Sequence, residues 1–223
     1  ALGGGVVGDL AGFVAATYRR GVRFAQLPTS LLAQVDASVG GKVAVDHPRG
    51  KNLVGTFYQP SAVVIDSQTL STLPERELRG GLAEVIKHAL IDDADMFGYL
   101  EAHLSDFLAL EKSAVLYVLA RNCQVKARFV AEDPYDRGIR ACLNYGHTIG
   151  HAIERACRGW EIRHGEAVAI GMVAEARLGV SLGVTPEGVA ERLEALLAAA
   201  GLPTGAPQIE LDEARNAMMQ DKK

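Results

Sequence analysis

Two patterns of hydrophobic positions divide the chain near residue 75. Before it, short apolar runs dominate, such as the run at 62–66, which ends in an acid and predicts a buried strand. Val22 and Phe24 alternate with Arg23, which favours a strand running to Leu27. After it, helical periodicity takes over, with helices predicted near 93–108 and 110–131. The chain is therefore predicted to hold a partial α/β domain, 1–74, and a helical domain, 75–223.

Glycine-rich turns recur in the first part. Gly3, Gly5 and Gly8 fit G-x-G-x-x-G and precede an Ala-rich helical pattern, and two further turns end in Lys42 or contain Lys51. Glycines at a helix start let a backbone approach phosphate, and an adjacent ammonium adds positive charge. The alternative is a turn that opens a packed helix, with solvent-facing loops after it. Asp9 is either an acid of a first helical turn or a ligand contact.

A polar stripe is predicted in the second part. Arg140, Asn144, His147 and His151 are spaced four, three and four, which places them on one face of an α-helix. Cations on such a face indicate an anion, and two histidines with His164 downstream indicate a metal. Solvated or hydrogen-bonded histidines are the alternative.

Glu84 and Lys87 stand three apart in an otherwise apolar helix. A buried acid is costly unless it is paired or bound to metal, so the two form either an i,i+3 ion pair or part of a site. Glu84, His147 and His164 together suit Zn²⁺ with an open position. Cations accompany this set: Lys42, Lys51, Lys87, Lys126 and Arg140. The residues predict a metal- and dinucleotide-dependent enzyme acting on a phosphorylated or carboxylated alcohol.

Composition and charge limit the classes of protein to which the chain can belong. The 223 residues carry a net charge of −4, which argues against a general nucleic-acid surface. No apolar run approaches the roughly 20 residues that cross a bilayer, so no membrane partner is expected. Three cysteines outside C-x-x-C spacing favour reduced thiols in a cytoplasmic protein. The chain begins at Ala1 inside a glycine-rich turn and ends at Lys223, so we expect a piece of a longer protein.

Seven motifs resemble the 3-dehydroquinate synthase family of sugar-phosphate cyclases. They lie at 3–13, 36–42, 50–55, 81–87, 143–154, 164–171 and in the terminal Asp-Lys-Lys. The resemblance implies an α/β plus all-α chain, with part of a Rossmann-like NAD-binding domain followed by a helical metal- and substrate-binding domain. It also implies NAD, Zn²⁺ or Co²⁺, a homodimer and a small phosphorylated carboxylate sugar as substrate.

Site residues are carried over from the matching motifs. The resemblance assigns the metal to Glu84, His147 and His164. It assigns NAD to Gly4, Gly5, Asp9, Thr29, Ser30, Lys51, Thr72 and Leu73, with Asp36 near the nicotinamide. It assigns the substrate carboxylate to Lys126, Arg140 and Asn144, and the phosphate to Lys42, Asn52, His151 and either Lys222 or Lys223. Arg20 reaches the neighbouring subunit's phosphate, and Lys87 lies near the reacting hydroxyls. Lys87, Asp36, His151 and Asn144 are the expected catalytic set. Ser30 and Asp136 stand where the family more often has Thr and Glu.

The implied reaction converts 3-deoxy-D-arabino-heptulosonate 7-phosphate to 3-dehydroquinate and phosphate in the shikimate pathway. A sister cyclase, such as 2-epi-5-epi-valiolone or 2-deoxy-scyllo-inosose synthase, would leave the carboxylate-binding group without a ligand. A glycerol dehydrogenase-like enzyme would not need the phosphate residues. A metal-stabilised binding module is the non-catalytic alternative.

Overall fold

The computed structural model describes residues 1–48, 50–157 and 162–206. The chain forms two compact units. The first combines Ala1–Gly81 with Asp106–Arg140, and the second combines Leu82–Ser105 with Ala141–Lys223. The predicted terminal phosphate contact, Lys222 or Lys223, lies outside the described residues. The proposed division at residue 75 stays a prediction.

The described residues of the first unit form five strands. They are β1 (Leu2–Gly3), β2 (Ala25–Pro28), β3 (Lys42–His47), β4 (Gly50–Phe57) and β5 (Ala62–Val63). β1, β2 and β5 form a parallel sheet in the order β1-β2-β5. The run at 62–66 contains the predicted strand as β5, although the strand is shorter than the run. The strand predicted to run to Leu27 is present as β2, but it begins only at Ala25, after the alternating residues Val22 and Phe24. A parallel sheet is the arrangement expected of part of a Rossmann-like domain.

The glycine-rich turn at the start leads directly into α1 (Gly5–Thr17). Two of its glycines pack closely. A Cβ added to Gly8 would lie 2.6 Å from Gln26 Oε1, and one added to Gly12 would lie 2.4 Å from Val43 Cγ1. These contacts bring α1 against β2 and β3, so packing alone accounts for part of the glycine pattern.

Lys42 and Lys51 do not lie in isolated turns. Lys42 begins β3 and Lys51 lies in β4, and the two strands form an antiparallel hairpin. The glycine-rich turn predicted before Lys42 is present, since Gly40 and Gly41 have φ values of 116° and 65°. What was not predicted is that Lys42 and Lys51 lie in the strands that adjoin the turns. Val43 is buried and Lys42 exposed, so β3 begins with the side-chain alternation of a half-buried strand.

Helical segments complete the first unit. They are a 3₁₀ helix at Tyr18–Arg20, a π-helix at Ala33–Ala37, a 3₁₀ helix at Ser67–Thr72 and α4 (Lys112–Glu132). α4 packs on the π-helix, where Asn122 Nδ2 donates to the carbonyl of Val35 at 2.8 Å. Leu31, Val35 and Val43 are fully or almost fully buried in its core. α2 (Glu75–Asp92) begins in this unit and continues into the second.

The second unit is helical. It contains most of α3 (Ala94–Leu108), together with α5 (His147–Ala156), α6 (His164–Ser181) and α7 (Val189–Ala199). The helices predicted near 93–108 and 110–131 are confirmed as α3 and α4. α5 and α6 pack with their backbones close together. A Cβ added to Gly171 would lie 2.0 Å from the carbonyl oxygen of Gly146.

The polar stripe predicted on one α-helix is divided between two elements. Arg140 and Asn144 lie in a 3₁₀ helix, Ile139–Asn144, whereas α5 begins at His147. Gly146 separates them with a φ of 78°, a left-handed conformation that ends helical continuity. His147 and His151 remain one turn apart on α5.

Within the described ranges, none of the helices combines the length and apolar character needed to cross a membrane.

Candidate metal centre and cationic pocket

Glu84 is the centre of a polar cluster inside the second unit. It lies on α2 with its side chain completely buried, and its Oε2 forms an ion pair with the equally buried Lys87 one turn later. Its Oε1 lies 3.5 Å from His147 Nε2 and 3.5 Å from His164 Nε2. In the described part of the chain, Oε1 has no hydrogen-bond partner. A buried carboxylate oxygen facing two imidazole nitrogens is what a metal ion requires.

Both histidines present the same nitrogen to Glu84. Each is the first residue of its helix, His147 of α5 and His164 of α6. His147 Nδ1 lies 3.2 Å from the carbonyl oxygen of Tyr145, and His164 Nδ1 lies 3.3 Å from Glu154 Oε2. A proton on each Nδ1 satisfies these acceptors and leaves a lone pair on Nε2 for a metal.

The turn before His147 is held by α6. The N–H of Gly146 donates to Glu175 Oε2 at 2.7 Å, and a Cβ on Gly146 would lie 2.5 Å from Met172 Cγ. Only glycine fits this conformation and this space. The fold therefore fixes where α5 begins, and with it the position of the first imidazole.

The charges of the cluster are interdependent. Burial raises the pKa of Glu84, but the Lys87 ammonium and both histidines outweigh it and hold that pKa well below its ordinary value. Burial lowers the pKa of His164, but Glu154 and Glu84 together raise it to about 10. Without a metal, the cluster is an anion surrounded by cations, and a metal would take the place of the imidazolium proton.

The ligand atoms of Glu84, His147 and His164 lie within 4.8 Å of one another, so the predicted metal set is brought together. The same holds for a second set, His151, Glu154 and His164, which shares one imidazole with the first. One carboxylate and two imidazoles fit Zn²⁺ or Co²⁺ with a position left for substrate. Metal binding by these residues stays a prediction.

A pocket of about 480 Å³ in the first unit contains six of the predicted site residues. They are Asp9, Asp36, Lys42, Asn52, Lys126 and Arg140. Lys126 is buried and forms an ion pair with the Asp36 carboxylate, while the exposed Lys42 forms one with Asp136. These ion pairs hold two ammonium groups at the pocket, where a ligand anion can compete for them.

Arg140 is the most buried cation of this pocket. Its guanidinium donates to the carbonyl of Pro134 at 3.2 Å. A Cβ on Gly40 would lie 2.1 Å from its Nη2, and Gly40 has a φ of 116°. Burial lowers the pKa of Arg140, against the carboxylates of Asp136, Asp36 and Asp133, which raise it. The glycine turn thus makes room for the guanidinium.

Asp9 has an unusual charge state. Burial, followed by the nearby carboxylates of Asp36 and Asp46, raises its pKa to about 6. The Lys126 ammonium acts in the opposite direction. At neutral pH the carboxylate is ionised, but at a cost that a ligand donating hydrogen bonds to it would reduce.

The remaining predicted cofactor residues are distributed around the start of α1. Gly4 immediately precedes α1 and Gly5 begins it, and a Cβ on Gly4 would meet Ser30 Oγ at 3.6 Å. The N–H of Thr29 donates to the carbonyl of Gly3 at 2.9 Å. Thr72 and Leu73 end the 3₁₀ helix Ser67–Thr72. For Lys51, the side chain lies outside the described part of the structure.

Three further predicted site residues are Arg20, Asn144 and His151. Arg20 is exposed at the end of the first 3₁₀ helix with a φ of 68°, and its contact with a neighbouring subunit stays a prediction. Asn144 lies in the 3₁₀ helix before α5 and is partly buried. His151 lies beside the metal set, with its ring centroid 5.9 Å from that of His164.

The sequence analysis missed the roles of Glu154 and Gly40. Glu154 lies inside a quoted motif, three residues after His151, and that spacing places both on one helical face. This spacing is therefore a signal for Glu154 that is visible in the sequence. The contact of Gly40 with Arg140 has no local signal, since the two residues are far apart in sequence.

Comparisons with known proteins agree with this geometry. A family model described as 3-dehydroquinate synthase N-terminal matches residues 1–80, and one described as 3-dehydroquinate synthase C-terminal matches residues 81–223. A 3-dehydroquinate synthase from Caldanaerobacter subterraneus subsp. tengcongensis is 57% identical over 224 residues, covering 100% of this chain and 63% of that relative. The chain thus spans less than two thirds of the length of such relatives.

Solved structures give the same fold. A 2-epi-5-epi-valiolone synthase from Streptomyces hygroscopicus, with NAD⁺ and Zn²⁺ bound, matches with a TM-score of 0.90 and 33% identity, covering 98% of this chain and 61% of that one. A 2-deoxy-scyllo-inosose synthase with carbaglucose-6-phosphate, NAD⁺ and Co²⁺ matches with a TM-score of 0.90 and 33% identity, covering 100% and 60%. The α/β plus all-α architecture is confirmed, and the chain belongs to the 3-dehydroquinate synthase family.

Proposed function

We propose that the full-length protein is a 3-dehydroquinate synthase, a phosphate-eliminating lyase of the shikimate pathway that serves chorismate and aromatic amino acid biosynthesis. It converts 3-deoxy-D-arabino-heptulosonate 7-phosphate to 3-dehydroquinate and phosphate. The observation that carries this assignment is the pairing of two buried cations, Lys126 and Arg140, with the exposed Lys42 in one pocket. A substrate with both a carboxylate and a phosphate uses all three.

The proposed cofactors are NAD and Zn²⁺ or Co²⁺. The related structures that carry them, at 33% identity, support this, as does the buried Glu84 oxygen facing two imidazoles. When bound, NAD⁺ supplies a reversible hydride acceptor and the metal supplies Lewis acidity. In this proposal, 1–74 contributes to an NAD-binding domain and 75–223 holds the metal and substrate.

The chain's own residues position and stabilise charge. Lys126, Arg140 and Asn144 bind the carboxylate, and Lys42, Asn52 and His151 bind the phosphate. Asp36 holds the Lys126 ammonium in place through its ion pair. Lys87 keeps Glu84 ionised and directed toward the histidines, which is the state that a metal ligand needs.

The assembly is proposed to be a cytoplasmic homodimer in which Arg20 reaches the phosphate of the neighbouring subunit. A phosphorylated sugar as substrate is supported by the carbaglucose-6-phosphate found in the related synthase. The exposure of Arg20 at a chain reversal fits this role.

The test uses the full-length protein supplied with Zn²⁺ and NAD⁺. We would add 3-deoxy-D-arabino-heptulosonate 7-phosphate and follow phosphate release together with NADH absorbance. We expect phosphate with no net NADH, because a hydride that is taken and returned leaves no reduced cofactor. NADH accumulating without phosphate would instead establish a dehydrogenase.

A sister cyclase activity is the second candidate, because the solved relatives are a 2-epi-5-epi-valiolone synthase and a 2-deoxy-scyllo-inosose synthase, each at 33% identity. Glucose 6-phosphate, the sugar counterpart of the carbaglucose-6-phosphate in the related structure, tests it directly. Turnover of this substrate, with none of the heptulosonate phosphate, would move the assignment to a sister cyclase.

A further inference from the structure

The two histidines of the metal set differ in what holds their second nitrogen. The acceptor at His147 Nδ1 is the backbone carbonyl of Tyr145, whereas the acceptor at His164 Nδ1 is the side-chain carboxylate of Glu154. The fold holds a backbone carbonyl in place and no substitution removes it. A carboxylate is present only because the sequence has Glu at this position, so its role can be tested.

We propose that Glu154 is a positioning residue that holds the His164 imidazole in the Nδ1–H tautomer and directs Nε2 to the metal. The 3.3 Å contact from Nδ1 to Glu154 Oε2 and the 3.5 Å approach of Nε2 to Glu84 Oε1 lie on opposite sides of one ring. A ring fixed at one nitrogen by a carboxylate presents the other with its lone pair oriented, which raises metal affinity. The proposal rests on the metal-binding part of the proposed function.

The packing of α5 on α6 gives this contact a fixed geometry. Glu154 lies in the last turn of α5, and its neighbour Ile153 is buried in a core cluster with Ala167 and Ile170 of α6. A Cβ on Gly150, one turn before Glu154, would lie 3.1 Å from the carbonyl oxygen of Ala167. The backbones that carry Glu154 and His164 are therefore held together independently of any metal.

A different role for the same carboxylate is to ligate a second ion with His151 and His164. The positioning role is favoured because the side chain of Glu154 is 22% exposed, whereas that of Glu84 is 0% exposed and its Oε1 has no hydrogen-bond partner in the described residues. Water can solvate a partly exposed carboxylate, but a buried one requires a cation or a donor. Of the two carboxylates, that of Glu84 is therefore the one that needs a bound cation.

The experiment compares Glu154→Gln and Glu154→Ala with Glu194→Gln in the full-length protein. Glu194 is the matched control, since its carboxylate also pairs with a side chain of the same unit, Arg177, at 2.6 Å. We would measure zinc stoichiometry, the zinc Kd by competition with a chromophoric chelator, and the melting temperature of each metal-free protein.

We expect one zinc per chain and a Kd for Glu154→Ala that is about 10- to 100-fold weaker than that of the unmodified protein. Glu154→Gln should lose less, because its amide oxygen can still accept from Nδ1–H. Glu194→Gln should keep the original Kd, and each metal-free protein should melt well above the temperature of the zinc titration, so that every Kd is measured on folded protein.

Two results would overturn the proposal while leaving the metal centre in place. One is an unchanged Kd in Glu154→Ala, with or without a lower melting temperature. The other is two zinc ions in the unmodified protein, of which only one is lost in Glu154→Ala at an unchanged Kd for the other. Failure of the metal centre itself would appear differently, as full zinc binding by His164→Ala.

Discussion

At the residue scale, the pocket of the first unit contains charged side chains whose burial is energetically unfavourable. Asp9 is ionised at neutral pH although burial and two carboxylates raise its pKa to about 6. Arg140 is buried against a glycine turn and donates to a carbonyl oxygen. Charges kept in such surroundings are typical of binding sites, because the ligand supplies the compensation that the free protein lacks.

Asp9→Asn should therefore stabilise the ligand-free protein while weakening NAD binding. An acid with a folded pKa of about 6 and an ordinary value of 3.8 costs nothing below pH 4 and destabilises increasingly as the pH rises to 6. After allowance for solvent screening, we expect a gain of about 1 to 2 kcal/mol in unfolding free energy at pH 7.

Denaturation of the ligand-free protein at pH 4 and pH 7 checks the sign, because the gain should vanish at the lower pH. Titration with NAD⁺ at pH 7 should give a weaker Kd for the variant. A variant that is less stable at pH 7 would contradict the burial argument. Unchanged NAD affinity would remove Asp9 from the cofactor contacts.

Arg140→Ala should raise the KM for the heptulosonate phosphate and lower turnover while zinc stays bound. Loss of a charged hydrogen-bond donor to a carboxylate corresponds to a loss of about 10- to 100-fold in kcat/KM. The exposed Arg128 offers a control, since Arg128→Ala removes a cation of the same unit. Loss of zinc in Arg140→Ala would mean that Arg140 supports the metal and not the substrate.

At the element scale, periodicity predicted the helices but not where one ends and the next begins. The spacing of Arg140, Asn144 and His147 indicates one face only if the helix is continuous. Gly146 interrupts it with a φ of 78°, and its N–H is satisfied by Glu175 of α6. A glycine in a sequence does not reveal the sign of its φ, and its partner lies on an element that periodicity cannot place.

Two glycines within helices should respond oppositely to alanine. In α3, a Cβ on Gly98 would have no neighbour within 4 Å, so Gly98→Ala should stabilise the protein by about 0.5–1 kcal/mol. In α6, a Cβ on Gly171 would lie 2.0 Å from the Gly146 carbonyl oxygen. Gly171→Ala should cost about 2–4 kcal/mol, because it forces apart the two helices.

Denaturant unfolding and zinc content of both variants check this pair. Since His147 begins α5 and His164 begins α6, separating these helices should also lower zinc content in Gly171→Ala. Equal stability in the two variants would mean that the close approach of α5 to α6 relaxes freely.

At the scale of the whole molecule, sequence motifs predicted a metal set whose ligand atoms the structure brings together, and local packing shows how these side chains are held. Glu84, His147 and His164 could be predicted as a metal set because carboxylates and imidazoles are common metal ligands and can be recognised from residue type alone. The spacing of Glu154 from His151 was visible in the sequence, but its contact with His164 depends on the packing of α5 on α6. Gly40 could not be placed, because it matters through the space that it leaves for the distant Arg140. The hairpin of β3 and β4 was not predicted, because the glycines beside Lys42 and Lys51 indicate turns and do not indicate that the two segments pair.

Binding at the metal centre should stabilise the whole protein, since a ligand of the folded state shifts the unfolding equilibrium. With free zinc at 100 times its Kd, the unfolding free energy should rise by about 2.7 kcal/mol. His164→Ala should abolish this response, whereas His103→Ala, on α3 beside Tyr99, should retain it. Melting temperatures of the full-length protein with zinc and with a chelator give the comparison. If both variants still respond to zinc, the metal binds elsewhere. If only His103→Ala responds, the buried oxygen of Glu84 and the two imidazoles are the site through which metal and fold are coupled.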